Sequence, residues 1–259
     1  MSKRVLLLKN SSVPSDPYEE RLTSLGYQPT FIPLLTHTHF DKSETIQYLE
    51  SAEFINDVDV IIITSQRGVE MLDECLQSVD GGIQAKICQK IAYTVGPATY
   101  GILQRMGFSN VRGGNQAGNG LKLAYLINEE LTSQQYNSER KMIFFTGEIR
   151  KDILPKTLKG MNYNLVEKVI YKTAHRDDIV ANFNQKWVGG SGSDSDWIVF
   201  FSPQGTESIV RHIQLDSRVY RIASIGPTTE EYLLQNGIRP DVVSAKPDAV
   251  SLVSSIEDF

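Results

Sequence analysis

The chain has 259 residues, 41% hydrophobic and 22% charged, with a formal net charge of -5. That is ordinary globular composition, with apolar mass for one large core or for two domains of about 130 residues each. The acidic balance, without a long Lys/Arg run, argues against a nucleic-acid partner. Only two cysteines occur, Cys75 and Cys88, without CxxC spacing. They read as buried thiols in a reducing compartment rather than a disulfide scaffold. The apolar run in the opening MSKRVLLLKN is too short for a signal peptide. No stretch approaches the roughly 20 apolar residues that cross a bilayer, so the expectation is a cytoplasmic protein with no membrane partner.

In chain order, strands are predicted at Arg4–Leu8, Thr30–Leu34, Asp59–Ile63, Ile91–Val95, Met142–Phe145, Leu165–Tyr171, Trp197–Phe201 and Ile222–Ile225. They are β-branched or continuously apolar, as in strands buried on both faces of a parallel sheet. Helical stretches fall between them, among them Val69–Leu76, Leu121–Leu131 and Glu207–Ile213. Alternating strands and helices predict an α/β fold. Gly189–Ser195, a Gly/Ser run, reads as an exposed loop before the Trp197 strand.

The two halves of the chain resemble each other. The run ending at Ser65 matches the one ending at Ser202, 137 residues on. Val95-Gly-Pro-Ala-Thr99 matches Ile225-Gly-Pro-Thr-Thr229, and Met106-Gly-Phe108 matches Asn236-Gly-Ile238, both at an offset of 130. Recurrence of these elements in one order indicates two copies of one α/β unit, with a single large sheet as the competing reading.

The duplicated strand ends are where chemistry is expected. Thr64-Ser-Gln-Arg-Gly68 and Phe201-Ser-Pro-Gln-Gly205 each follow a buried strand and precede a helix. Serine there can cap the helix, and Pro203 would take its first position. Thr228-Thr-Glu-Glu231 has capping-box spacing, with Gly96-Pro-Ala-Thr99 as its counterpart. Free N–H groups and the helix dipole favour anions at such places. The same residues also make sense as plain caps, since every helix start has N–H groups to satisfy.

Other constellations are weaker. Gly113–Gly120 lacks both the Walker Lys-Ser/Thr and the G-x-G-x-x-G spacing. His37 and His39 have no accompanying ligand spacing and read as loop or strand residues. Neither Ser65 nor Ser202 sits in a G-x-S-x-G elbow. Nothing points to a metal, a nucleotide cofactor or a covalent nucleophile, and no cofactor is expected.

Several segments together carry a family resemblance: Arg4-Val-Leu-Leu-Leu-Lys9, Asp16-Pro-Tyr18, the run Ile62–Glu70 and Tyr93-Thr-Val-Gly-Pro-Ala-Thr99. They continue with Arg150-Lys-Asp-Ile-Leu-Pro155, Val169-Ile-Tyr-Lys-Thr173, Phe200-Phe-Ser-Pro-Gln-Gly205, His212-Ile213 and Ala223-Ser-Ile-Gly-Pro-Thr-Thr229. In order and spacing, the chain resembles the uroporphyrinogen-III synthases, closest to their eukaryotic branch. The resemblance implies two flavodoxin-like parallel-sheet domains joined by a two-stranded connector. One would combine 1–36 and 174–259, the other would span 37–173, with connectors near 33–38 and 170–175.

The resemblance also implies the reaction. Hydroxymethylbilane, a linear tetrapyrrole, loses its terminal hydroxyl, and a spiro intermediate recloses with ring D inverted. Tyr171 matches the tyrosine the family offers as the acid, although an aromatic in that place can simply pack. Asp177 and Glu148 are alternatives without a supporting pattern. The substrate's carboxylates would be received by Ser65, Gln66, Arg67, Thr99, Ser202, Gly205, Thr228 and Thr229, with Lys9, Lys151 and Arg221 as further charge partners. The sequence departs at Gln66, where relatives often have proline. A monomer is expected. A non-catalytic two-lobed tetrapyrrole-binding or sensor protein is the alternative from another class.

Overall fold

The computed structural model describes residues 3–12, 15–187, 196–216 and 220–259. The loop expected at Gly189–Ser195 lies outside the described residues. The chain begins with β1 (Lys3–Leu8), α1 (Pro17–Ser24), β2 (Tyr27–Phe31) and β3 (Leu35–His39). There follow α2 (Lys42–Glu50), α3 (Ala52–Asp57), β4 (Val58–Ile63), α4 (Gln66–Leu76), α5 (Gly81–Cys88), β5 (Ile91–Val95) and α6 (Pro97–Arg105). Next come β6 (Asn110–Gly114), α7 (Gly120–Ser133), β7 (Lys141–Gly147), α8 (Ile153–Gly160) and β8 (Leu165–His175). The rest is α9 (Ile179–Trp187), β9 (Trp197–Phe200), α10 (Glu207–Leu215), β10 (Arg221–Ile225), α11 (Gly226–Gln235), β11 (Val242–Ser244) and α12 (Ala249–Glu257). No helix among the described residues is long and apolar enough to cross a membrane.

The chain divides into two compact units, one of 1–36 with 174–259 and one of 37–173. The first holds a parallel sheet in the order β11-β10-β9-β1-β2. Successive side chains of a strand point to opposite faces, and here both faces are covered. Leu6, Leu8, Ile198 and Phe200 pack with Phe183, Trp187 and Ile209, while Val5, Leu7 and Val199 pack with Leu22, Leu252 and Ile256. Each such side chain contributes about 1.5–3 kcal/mol on leaving water, so a polar residue inside these runs would be costly.

The second unit repeats the plan. Its strands run β6-β5-β4-β7-β8, with β3 added at the far edge. Ile61, Ile63, Ile143 and Phe145 face Val69, Leu72 and Leu76, and Val60, Ile62 and Phe144 face Leu123, Ile127 and Leu158. Strand for strand, β6, β5, β4, β7 and β8 correspond to β11, β10, β9, β1 and β2. Residues 91–100 and 221–230 even carry the same order of buried, half-buried and exposed positions. Each order is that of a flavodoxin-like sheet, which changes winding direction between β1 and β9 in one unit and between β7 and β4 in the other.

Four local expectations change. The second strand is Tyr27–Phe31, not Thr30–Leu34, because β1 sets its register from Lys3↔Tyr27 to Leu7↔Phe31. Ile32 and Leu34 are buried but lie beyond the ladder. Pro29 hides the strand in the sequence, and is tolerated because β2 is an edge. Ser202 does not cap a helix and Pro203 does not begin one. Residues 203–206 turn instead, with the Thr206 N–H donating to Pro203 O at 3.2 Å, and α10 starts at Glu207. Gly205 makes the turn with φ +81°, a conformation that cannot continue into a helix. There is no capping box at Thr228, since α11 already begins at Gly226 and has no side-chain cap. Finally, β3, β6 and β11 were not predicted: one alternates polar residues, one ends in two glycines and one has three residues.

In the first unit Asp16, fully buried, holds the segment after β1. It accepts from Lys9 Nζ at 2.5 Å and from the N–H groups of Ser12 (3.0 Å) and Tyr18 (3.1 Å), capping α1. Burial pushes its pKa up, but the Lys9 hydrogen bond and the Ser12 N–H outweigh it and leave the carboxyl below its usual 3.8. A depressed carboxylate contributes stability that is present above its unfolded pKa and lost as pH falls through the folded one. Unfolding free energy should therefore decline below about pH 4. Asp16→Asn should flatten that decline and cost about 2–4 kcal/mol at pH 7, measured by urea denaturation across pH.

Candidate active site

In the unit of residues 37–173 a cavity of about 440 Å³ opens at the carboxyl ends of β4, β5 and β7, beside Tyr171 of β8. It spans the place where the winding reverses between β7 and β4, the usual ligand position in an open α/β sheet. Its floor is the strand ends themselves, at Thr64, Val95, Thr146 and Phe144.

Helix starts supply much of the wall. Ser65 caps α4, its Oγ accepting from the Gly68 N–H at 3.0 Å. Asn119 caps α7, accepting from the Lys122 N–H at 2.9 Å, and Gly120 follows it at the rim. The third start, that of α8 at Ile153, has no side-chain cap. Helix starts of this kind present N–H groups and the positive ends of their dipoles, so the cavity suits an anion.

Two basic residues stand at the same rim. Arg150 is tied to Glu167, its Nε donating at 2.9 Å, and Lys159 donates to the other oxygen at 2.7 Å. Burial raises the Glu167 pKa, but these two cations outweigh it and hold the carboxyl below its ordinary range. Lys151 is exposed and forms no hydrogen bond or ion pair among the described residues. Ile149 and Ile153, both large apolar residues open to solvent, complete the mouth. The cavity thus joins a positive rim to an apolar lip.

Tyr171 enters from β8. Its hydroxyl lies 3.0 Å from Ser65 Oγ, although the two residues are 106 positions apart. His37, on β3, sets its ring edge toward Tyr171 with centroids 6.2 Å apart, and its Nδ1 lies 3.0 Å from Thr173 Oγ1. Burial first, and the Arg67 guanidinium second, lower the His37 pKa, so the imidazole is neutral at pH 7. Among the described residues no group of three or more His, Cys, Asp or Glu comes together as metal ligands.

Of the residues singled out from sequence in this unit, Ser65, Lys151 and Tyr171 line the cavity, and Ser65 and Tyr171 meet there. Gln66 and Arg67 occupy the first turn of α4 outside its lining, with Arg67 donating to Glu70 at 2.6 Å. Thr99 is buried in the first turn of α6, and Glu148 is exposed beside the cavity without lining it. In the other unit, Ser202 and Thr228 are exposed while Gly205 and Thr229 are buried at the ends of β9 and β10. There Lys9 is engaged by Asp16, and Arg221 by Asp241 at 3.2 Å. Asn119, Gly120, Arg150, Ile149 and His37 were not singled out from sequence as site residues, although Gly113–Gly120 and His37 were weighed and set aside and Arg150 belongs to a segment that carries the resemblance. Asn119 was within reach, because an Asn just before the apolar run of α7 is a cap signal.

A family model described as Uroporphyrinogen-III synthase HemD matches residues 16–254. The chain belongs to the uroporphyrinogen-III synthase family. It is 41% identical to the uroporphyrinogen-III synthase of Saccharomyces cerevisiae, an alignment covering 98% of this chain and 95% of that protein. It is 34% identical to that of Schizosaccharomyces pombe, covering 99% and 97%. Among solved structures, the uroporphyrinogen-III synthetase of Helicobacter pylori 26695 matches at TM-score 0.58 and 16% identity, over 98% of this chain and 97% of that one. A mutant uroporphyrinogen III synthase from the extremely thermophilic bacterium Thermus thermophilus matches at 0.51 and 14%, over 99% and 98%. At such identities these structures speak to the fold, two parallel α/β sheets.

Ser65 therefore has two roles that can be separated. Ser65→Ala should cost about 1 kcal/mol through the lost cap, and Ser65→Asp, which restores a capping oxygen, should recover most of that in thermal unfolding. Only the serine also leaves a neutral hydroxyl against Tyr171.

Proposed function

We infer that the strand-end cavity of residues 37–173 is where the family's reaction is run in this chain, with the Tyr171 hydroxyl as the acid. As a uroporphyrinogen-III synthase, the chain is a cyclising lyase of porphyrin biosynthesis. It closes hydroxymethylbilane to uroporphyrinogen III, releasing water and inverting ring D. The terminal C–O bond breaks as the departing hydroxyl takes a proton and leaves as water, while the pyrrole nitrogen's electrons form the azafulvene. The substituted carbon of ring D attacks that carbon. The resulting spiro intermediate fragments and recloses at the other ring-D carbon, with loss of the ring proton.

The observation that carries the assignment is the Tyr171 hydroxyl, held 3.0 Å from Ser65 Oγ at the wall of an anion-suited cavity. Ser65 Oγ accepts the Gly68 N–H, and in the proposed scheme it gives its own proton to the phenol oxygen. The phenol proton is then directed away from Ser65, and a leaving oxygen in the cavity is a suitable acceptor. The helix starts at Ser65, Asn119 and Ile153 and the free Lys151 are proposed to receive substrate carboxylates, and Ile149 and Ile153 to pack against pyrrole faces. Gln66, Arg67 and Thr99 are further proposed receivers in this unit, and Ser202, Gly205, Thr228 and Thr229 in the other, largely through backbone N–H groups. Most of the rate would come from folding the bilane so that the ring-D carbon meets the electrophile.

We propose further that the two units are the family's two domains and that the chain acts as a monomer in the cytosol. The free, buried thiols of Cys75 and Cys88 suit a reducing compartment. Size-exclusion chromatography with light scattering should give the mass of one chain.

Purified protein added to freshly made hydroxymethylbilane, followed by oxidation and separation of the porphyrin isomers, should yield type III in excess. Type I alone would overturn the assignment. Tyr171→Phe should lower kcat by roughly tenfold to a hundredfold, at or below the low end of general-acid catalysis because water can also protonate the hydroxyl. Its KM should change little.

A further inference from the structure

We propose that Gly147 is a positioning residue for the Tyr171 phenol, the space left by its missing side chain being the seat of the ring. This rests on the reading of Tyr171 as the acid, and it concerns how the acid is aimed.

Gly147 is the last residue of β7 and is buried. A Cβ built on it would lie 2.6 Å from Tyr171 Cζ, 2.8 Å from Cε2 and 2.9 Å from the hydroxyl oxygen. Carbon atoms in contact sit about 3.5–4.0 Å apart, so any side chain here displaces the phenol by on the order of 1 Å. Gly147 is not one of the glycines with positive φ. Its φ does not call for glycine, and the three nearest obstacles to a side chain are all atoms of the phenol.

The ladder between β7 and β8 is irregular at the same place. Thr146 pairs with Val169 and Gly147 with Tyr171, so Ile170 is an extra residue on β8. A bulge of this kind re-aims the side chain that follows it. Here it leaves Ile170 fully buried in the core and sets Tyr171 directly across from Gly147. The Glu148 N–H then donates to Tyr171 O at 3.0 Å, which fixes the tyrosine's backbone. The ring is supported from below by Gly147 and its oxygen is held by Ser65 at 3.0 Å. Ile149, Arg150 and Lys151, three cavity-lining residues, follow directly on the same strand end. Gly147 touches no substrate in this scheme. It acts through Tyr171.

The test combines Gly147→Ala, Tyr171→Phe and the double variant, assayed for type III formation. Gly147→Ala should lower kcat as far as Tyr171→Phe does, within about threefold, with KM changed less than about twofold, since a misplaced acid is worth no more than an absent one. In the Tyr171→Phe background it should lower kcat by less than about twofold. Wild-type kcat in Gly147→Ala, or a further tenfold loss in the double variant, overturns the proposal. A second readout does not depend on catalysis. With 13Cζ-labelled tyrosine, the Tyr171 resonance should move in Gly147→Ala, and Ser65→Ala should move it in the wild type but no longer in the alanine variant. An unmoved resonance overturns the seat. If Tyr171→Phe is itself fully active, the acid assignment fails, and the resonance alone decides the seat. Should Gly147→Ala not fold, Gly147→Ala/Tyr171→Ala must restore folding by removing the ring, and a double variant equally unfolded overturns the contact.

Discussion

In each unit a parallel sheet is buried on both faces, and that constraint decides where everything polar can go. Val60 to Ile63, for instance, send alternate side chains into two apolar layers, and a charged group in either would face a desolvation cost of several kcal/mol. The long surfaces of the sheet are closed to chemistry. What remains is the carboxyl edge, where each strand passes into a helix and leaves N–H groups unpaired by the ladder. Ser65, Asn119, Arg150 and Lys151 lie just beyond such ends, and Tyr171 reaches the same edge from within β8. The cavity is a consequence of the layering.

Within that edge, small structural devices select which groups meet. The winding reversal between β7 and β4 separates the helices on the two sides of the sheet and leaves a crevice. The bulge at Ile170 turns Tyr171 toward it, and Gly147 leaves room for the ring. Ser65 joins the two, its Oγ accepting the Gly68 N–H that caps α4 and lying 3.0 Å from the Tyr171 hydroxyl. A reaction controlled by the folding of a flexible tetrapyrrole calls for such positioning more than for a strong acid.

Much of the fold was legible in the sequence because parallel strands advertise themselves. Four-residue apolar runs at β1, β4 and β9 have no other comfortable environment. The duplicated motifs at Val95-Gly-Pro and Ile225-Gly-Pro were legible for the same reason: the same strand-to-helix passage recurs, down to the burial of Thr99 and Thr229. The misreadings have local causes. Pro29 disguised an edge strand, Gly205 turned a presumed helix start into a separate turn, and the polar alternation of β3 resembled a loop. In the site, Ser65 could be read from its strand-and-cap context and Tyr171 from the family resemblance, whereas His37, in an H-x-H pair without ligand spacing, read only as a loop or strand residue.

By itself the sequence determined the α/β class, the doubled unit and the strand ends as the places for ligands, since hydrophobic periodicity and caps are local properties of a chain. It did not determine that Ser65 and Tyr171 share a hydrogen bond across 106 residues, nor that Gly147 is a seat rather than a turn. Those depend on the register of β7 against β8 and on how close two backbones come. Register is the sum of many weak contacts over whole strands, and only the folded sheet sets it.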